Sequence, residues 1–240
     1  MLIYGINAVL EAIRAGCVRE LRVSDRAGAR AADAVSAAQR VGVAVRRVQA
    51  TELDRAAKGG VHQGVIADVE DARDYSVADL VTGAAAAPLI VVLDGIEDPH
   101  NVGAILRTVD AAGGDGVIRQ SRHAAPLGGA AAKAAAGAVS HVKIAEVVNV
   151  ARAIEELKEA GVWTVGLAGD GSKRYDQIDL TVPTAIVLGA EGTGLRRLVR
   201  ERCDWLVSIP MHGHVQSLNV SVAAGVALFE AVRQRGRTGR

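Results

Sequence analysis

Two runs of consecutive apolar residues, LIVVLD (89–94) and TAIVLG (184–189), constrain this chain more than any other feature. Successive side chains of a strand point to opposite faces, so a strand with one wet face alternates apolar and polar residues. A run without alternation buries both faces, which is the condition of an inner strand in a parallel sheet covered by helices on either side. The flanking segments agree. HNVGAILRTVDAAG (100–113) predicts a helix closed by glycine, GVI (116–118) a short strand, and 126–138 a helix. VKIAEV predicts a strand, 149–160 a helix, VWTVGLA a strand, LRRLVRERC a helix, WLVSIP a strand, and 220–234 a long final helix. Strands alternating with helices define an α/β fold on a mostly parallel sheet.

The first part of the chain is a smaller α/β unit. Ile6, Val9, Leu10 and Ile13 are at helical spacing and Gly16 closes the helix; LRVS (21–24), VAVRRV (43–48) and GVIADV (64–69) read as strands. An alanine-rich helix over 29–41 and a short one from Thr51 through Ala57 fall between them. Residues 70–88 are acidic and end in an alanine run and Pro88, so they read as a linker with a turn or two of helix around 76–82. The expected organisation is a domain over 1–69, a linker over 70–88 and a larger domain over 89–240.

Composition excludes several functions. Aromatic residues are 2% of the chain, too few for the stacking platforms of single-strand binders. The net charge of +1 argues against holding nucleic acid by bulk electrostatics alone. That charge is unevenly spread: residues 1–69 carry ten basic against seven acidic side chains, and the tail VRQRGRTGR has Arg233, Arg235, Arg237 and Arg240 with no acid. The tail reads equally as a solvated end or as a basic patch. Cys17 and Cys203 give neither a disulfide framework nor a four-cysteine metal site. The N-terminal MLIYGINAVLEAIRAG lacks the basic region of a signal peptide, and no apolar run has the length of a membrane span, so a soluble cytoplasmic chain is expected.

Ligands of open α/β sheets bind at the carboxyl ends of the strands. Three such ends stand out: LDGIEDPHNVGAILRT (93–108), LGAEGTGL (188–195) and IPMHGHVQSLNVS (209–221). Neither G-x-G-x-x-G nor G-x-x-x-x-G-K-[ST] occurs. Taken singly, GAEGTG is also a plain glycine turn, DPHN a turn with Asn capping a helix, and SLNVS an ordinary helix start. Their order at successive strand ends carries the argument. Asn101 and, six residues on, Arg107; the G-A-E-G core, Gly189 to Gly192; and Ile209–Pro210 followed by Ser217 to Ser221 together resemble the three signature motifs of the SpoU family of RNA ribose 2′-O-methyltransferases, the TrmH/RlmB type. The likeness covers 89–235. YGINAV (4–9) and HQGV (62–65) are similar to the small RNA-binding domain of the RlmB branch. After Lys133 the family often has A-S-A-G-A, whereas Ala134-Ala135-Ala136-Gly137-Ala138 stands here.

The resemblance implies a catalytic domain whose C-terminal segment forms a trefoil knot, contrary to the general rule against knots. It implies S-adenosylmethionine as cofactor, contacted by Leu188, Gly189, Gly192, Ile209 and Leu218, and a catalytic group of Asn101, Arg107, Glu191, Ser217 and Asn219. It implies a homodimer built on the knot and the final helix, no metal, and an RNA substrate: a guanosine of 23S rRNA. A tRNA or resistance-type rRNA 2′-O-methyltransferase, or a non-catalytic RNA-binding assembly factor, are the alternatives. A ribose hydroxyl is a poor nucleophile near neutral pH, and an arginine, with a pKa above about 12, is a poor base. Arg107 is therefore expected to hold a phosphate or the developing alkoxide, with Asn101 orienting its guanidinium. Six residues apart, the two do not share a helix face, so this needs Asn101 in the loop before the helix. Glu191 is expected to orient neighbours or to pair with an arginine. His212 and His214 form an H-x-H without a third ligand, and His62 is expected to hydrogen-bond within the first unit or to contact RNA.

Overall fold

The computed structural model describes residues 1–69, 75–122 and 124–236. The chain divides into two compact units: Met1–Ala72 with Val102–Arg107 and Pro126–His141, and a second that takes the remainder.

The first unit contains β1 (Leu2–Tyr4), α1 (Ile6–Arg14), β2 (Val18–Ser24), α2 (Ala29–Arg40), β3 (Ala44–Val48), α3 (Ala50–Ala57) and β4 (Val65–Val69). Its strands form a mixed sheet in the order β1-β4-β2-β3, in which only β2 and β3 run parallel. The two segments that carry the N-terminal resemblance meet here. The Ile6 amide donates to Gln63 Oε1 at 2.9 Å, and His62 accepts the Gly64 amide on Nδ1 at 3.0 Å. With Nδ1 accepting, Nε2 carries the proton and donates to Asp54 at 3.0 Å. His62 thus holds its own loop together, the structural one of its two expected roles.

The second unit begins with α4 (Val77–Thr82), whose Ser76 and Asp79 form a reciprocal capping box. β5 (Leu89–Asp94), α5 (Pro99–Ala112), whose Val102–Arg107 segment is assigned to the first unit, and β6 (Gly116–Gln120) follow. α6 (Ala130–Ala134), next in the chain, belongs to the first unit, and β7 (Ile144–Val147), α7 (Val150–Glu159), β8 (Trp163–Leu167) and β9 (Lys173–Arg174) return to the second. β10 (Thr184–Gly189), α8 (Arg197–Arg202), β11 (Trp205–Ser208) and α9 (Val220–Gln234) complete the chain. The seven strands β5 to β11 lie in the order β7-β6-β5-β10-β8-β11-β9, every pair parallel. The two apolar runs that pointed to this fold are neighbours, paired from Thr184 opposite Leu89 to Gly189 opposite Asp94, so their carboxyl ends are flush. Ile90 and Val92 of β5, Ala185 and Val187 of β10, and Ile154 and Leu157 of α7 share one buried cluster.

Three expectations need correction. The helix over 126–138 shrinks to Ala130–Ala134, because Gly128 and Gly129 interrupt it, each costing about 1 kcal/mol against alanine in a helix interior, and Gly129 takes a positive φ of 60°. Helix α5 starts earlier than expected: Asp98, not an asparagine, is its cap, accepting the His100 amide at 2.9 Å, with Pro99 in the first helical position. The basic tail is not simply solvated. Arg233 pairs with Glu230 through two 2.8 Å bonds, and the Arg235 guanidinium donates to the carbonyls of Leu180, Ala87, Pro88 and Val182 at 2.7–3.1 Å. Arg237 and Arg240 lie outside the described residues.

Arg235 therefore pins the end of α9 to the segments that enter β5 and β10. Bonds from a charged donor contribute about 1.5–3 kcal/mol each when a partner is removed, and the vacated carbonyls regain some water. Arg235→Ala is expected to lower the stability of the second unit by about 3 kcal/mol, read as a reduced midpoint at constant slope in urea unfolding. An unchanged midpoint would remove the clamp from the account.

Candidate active site

The carboxyl ends of β8, β10 and β11 and the start of α9 enclose a cavity of about 590 Å³. Its walls include Leu188, Gly189, Glu191, Gly192, Ile209, Ser217, Leu218 and Asn219, eight of the ten site residues read from the sequence. Asn101 and Arg107 are not on the wall.

The loop after β10 is a tight turn. Ala190 and Gly194 exchange backbone bonds at 3.1 and 2.8 Å, Gly192 and Gly194 take positive φ, and Glu191 is left exposed. Beyond the turn, Arg196 is tied to Asp94, a fully buried carboxylate that ends β5. Asp94 accepts the Arg196 amide at 2.8 Å and its guanidinium Nε at 2.6 Å. This pair anchors the glycine turn to the neighbouring strand. An acid closing an otherwise apolar run was the sequence signal for it, and motif reading passed over it.

Asn219 joins the three motifs. It caps α9, its Oδ1 accepting from the amide and hydroxyl of Ser221 at 2.9 and 2.6 Å. Its Nδ2 donates to Glu191 Oε1 at 2.8 Å and to Asn101 Oδ1 at 2.9 Å. The reverse orientation of the amide would set its oxygen against the Glu191 carboxylate, so the network fixes the side chain. Glu191 has no ion pair among the described residues; its carboxylate accepts from Asn219 instead.

The expected link between Asn101 and Arg107 is absent. Asn101 is inside α5, not in the loop before it, and is 6% exposed with its Oδ1 occupied by Asn219. At about 100° per residue, six residues turn Arg107 well away from it. Arg107 is exposed and has no hydrogen bond or ion pair among the described residues. The reason is the cap: Asp98 and Asn101 are both cap-type residues, and the Asp-Pro order gives the position to Asp98.

Asp170 and Arg200 are further residues that the sequence motifs did not include. Both line the cavity and pair with each other through two 2.8 Å bonds. Their signal was a fourth strand end, GDG after VGLA. Cys203 lies behind this region, and burial pushes its thiol up to about 12, so it stays protonated at neutral pH. Among the described residues no group of three or more His, Cys, Asp or Glu side chains is arranged to hold a metal ion, and no helix is long and apolar enough to cross a membrane.

The geometry defines a class: an α/β sheet with a ligand cavity at its strand ends and a hydrogen-bonded Asn–Asn–Glu cluster on the rim. Residues 88–229 match the SpoU rRNA Methylase family, and residues 2–75 match the RNA 2′-O ribose methyltransferase substrate binding family. The chain belongs to the SpoU rRNA methylase family. It is 47% identical to the 23S rRNA (guanosine-2′-O-)-methyltransferase RlmB of Vibrio cholerae, over 98% of this chain and 97% of that one. It is 44% identical to the RlmB of Yersinia pestis, over 98% of both chains. Among solved structures, the SpoU methyltransferase AviRb of Streptomyces viridochromogenes, in complex with AdoMet, superimposes with a TM-score of 0.81 at 29% identity, over 99% of this chain and 91% of that one.

Proposed function

We propose that this protein transfers a methyl group from S-adenosylmethionine to the ribose 2′-oxygen of a guanosine in 23S rRNA. The observation that carries this reading is one cluster, Asn101–Asn219–Glu191, at the mouth of a cavity lined by the motif residues, in a chain similar along its whole length to enzymes named for that reaction. The cavity suits the cofactor. Its volume falls in the usual range for small-molecule sites, about 300–1,000 Å³. Leu188, Ile209 and Leu218 supply apolar surface for a base, while the glycine turn leaves backbone groups open to the cavity at Gly192, where a Cβ would meet nothing within 4 Å.

The cofactor supplies an electrophilic methyl group on a sulfonium. The chain's part is to place the ribose and to relieve charge. Asn219, fixed by four hydrogen bonds, holds the Glu191 carboxylate and the Asn101 amide as one unit, so Glu191 orients the rim rather than attacking. Ser217 and Leu218 continue that wall. Arg107, without a hydrogen-bond or ion-pair partner among the described residues, presents its donors to the RNA phosphate or to the developing alkoxide. Asn101 acts through Asn219 and not through Arg107.

Residues 1–69 serve as the substrate-binding domain and 89–240 as the catalytic domain with its C-terminal trefoil knot; of the expected 70–88 linker, residues 70–74 lie outside the described residues, and α4 packs into the core of the second unit through Val77 and Leu80. The assembly is a homodimer in the cytoplasm. Val222 and Phe229, both exposed and seven residues apart on one face of α9, support a partner at the final helix.

Mapping 2′-O-methylated positions in rRNA and tRNA with and without the gene tests the substrate. The expected result is the loss of one modified guanosine in 23S rRNA. An unchanged rRNA pattern with a lost tRNA site would favour the tRNA alternative; no change in either, with no binding of S-adenosylmethionine in calorimetric titration, would favour the assembly factor.

A further inference from the structure

The loop at the carboxyl end of β8 gives the cavity a wall that none of the three motifs contains: Leu167, Ala168, Gly169 and Asp170. Asp170 is the charged member. Arg200 of α8 holds it in a fork, Nη1 to Oδ1 and Nη2 to Oδ2, each 2.8 Å, and Arg200 lines the cavity too. A two-point guanidinium–carboxylate contact fixes the plane of the carboxylate as well as its position. A carboxylate has about four acceptor sites, so two remain after the fork is made. The bonds from Arg200 hold the carboxyl below the usual carboxylate range.

Strand order says what those acceptors face. β10, β8 and β11 are successive neighbours, about 4.8 Å apart. The loop after β10 carries Glu191, the loop after β8 carries Asp170, and Ile209 follows β11. In an adenosyl sulfonium the ribose lies between the sulfur and the adenine. A cofactor with its methyl group at the Glu191–Asn219 cluster and its base toward Ile209 has its ribose at the end of β8. We propose that Asp170, held in place by Arg200, accepts hydrogen bonds from the ribose hydroxyls of S-adenosylmethionine. Two adjacent hydroxyls present two donors, and one carboxylate meets them with two acceptors; an acid near a strand end does the same for the ribose in dinucleotide-binding folds. Arg200 is a positioning residue. The proposal rests on the cofactor reading given above.

The test is a cycle of binding measurements on the full chain by titration calorimetry. The ligands are S-adenosylhomocysteine and its analogues with the 2′- or 3′-hydroxyl replaced by hydrogen; the proteins are wild type and Asp170→Ala. The wild type is expected to lose about tenfold in affinity when a contacted hydroxyl is removed, and Asp170→Ala to lose about tenfold for S-adenosylhomocysteine, as for hydrogen bonds to a charged group. The analogue and the variant together are expected to lose little more than either alone, and Asp170→Ala to raise the KM for S-adenosylmethionine while leaving kcat unchanged. Arg200→Lys, which keeps the charge without the fork, should recover part of the affinity that Arg200→Ala loses. Equal and additive losses for every ligand, or no loss, would overturn the subsite while leaving the cofactor reading intact. Failure of the wild type to bind S-adenosylhomocysteine would overturn the cofactor reading, and the subsite with it.

Discussion

Gly189→Ala is expected to abolish useful cofactor binding in a chain that still folds. Gly189 ends β10 directly opposite Asp94 of β5, and a Cβ built there overlaps the backbone of Gly194 and Leu195. The obstruction is main chain, so no side chain can swing aside. The turn over 190–195 would have to move, and it is held at both ends: Ala190 pairs with Gly194, and Arg196 is bonded through its amide and guanidinium to the fully buried Asp94. An added methyl group in a packed site costs about 1–3 kcal/mol, and here that strain falls on the wall that also carries Glu191 and Gly192. Affinity for S-adenosylmethionine in calorimetric titration is expected to fall about a hundredfold, corresponding to the upper part of that range. A cooperative thermal transition should persist, because strands β5 and β10 keep their buried pairing. Wild-type affinity would mean that the turn relaxes freely and that its anchoring to Asp94 has no part in holding the cavity wall.

The parts of this fold that could be read from sequence are those set by local pattern. LIVVLD and TAIVLG announced inner parallel strands because burial on both faces leaves no alternation, and they are β5 and β10. Motif residues at strand ends found most of the cavity wall for the same reason: ligands collect where parallel strands end. Strand order was not legible. Nothing local to VWTVGLA says that β8 lies between β10 and β11, and only that order brings Asp170 beside Glu191 and Ile209 at one cavity. The Asn219 bonds to Glu191 and Asn101 span 28 and 118 residues and were equally out of reach. Helix starts were misjudged where two cap-type residues compete, as Asp98 and Asn101 do. Strands of three residues or fewer, β1 and β9, are too short for a period to register. The role of Arg235 was not legible, because composition cannot distinguish a charge facing water from one facing a ring of carbonyls.

Arg107 provides the second large effect, and its two substitutions separate charge from geometry. Arg22, Arg46, Arg174, Arg196, Arg197, Arg200, Arg202 and Arg233 all meet carboxylates, while Arg107 has no such partner among the described residues. Its removal should therefore change stability by no more than about 0.5 kcal/mol, as for exposed residues without special contacts. It does not line the cavity, so affinity for S-adenosylmethionine should also be unchanged. The loss is expected in the reaction with RNA: Arg107→Ala should lower kcat/KM about a thousandfold, the upper range for removing a donor from a developing oxyanion. Arg107→Lys keeps the positive charge but not the planar fork that meets two oxygens at once. If the fork matters, lysine recovers the salt dependence of RNA binding but little of the rate. Alanine should reduce the slope of log affinity against log salt by about one if the group meets a phosphate. Full activity in Arg107→Lys would rule out two-point contact and leave Arg107 as a point charge. A rate loss with an unchanged salt slope in Arg107→Ala would assign the guanidinium to the alkoxide rather than to the phosphate.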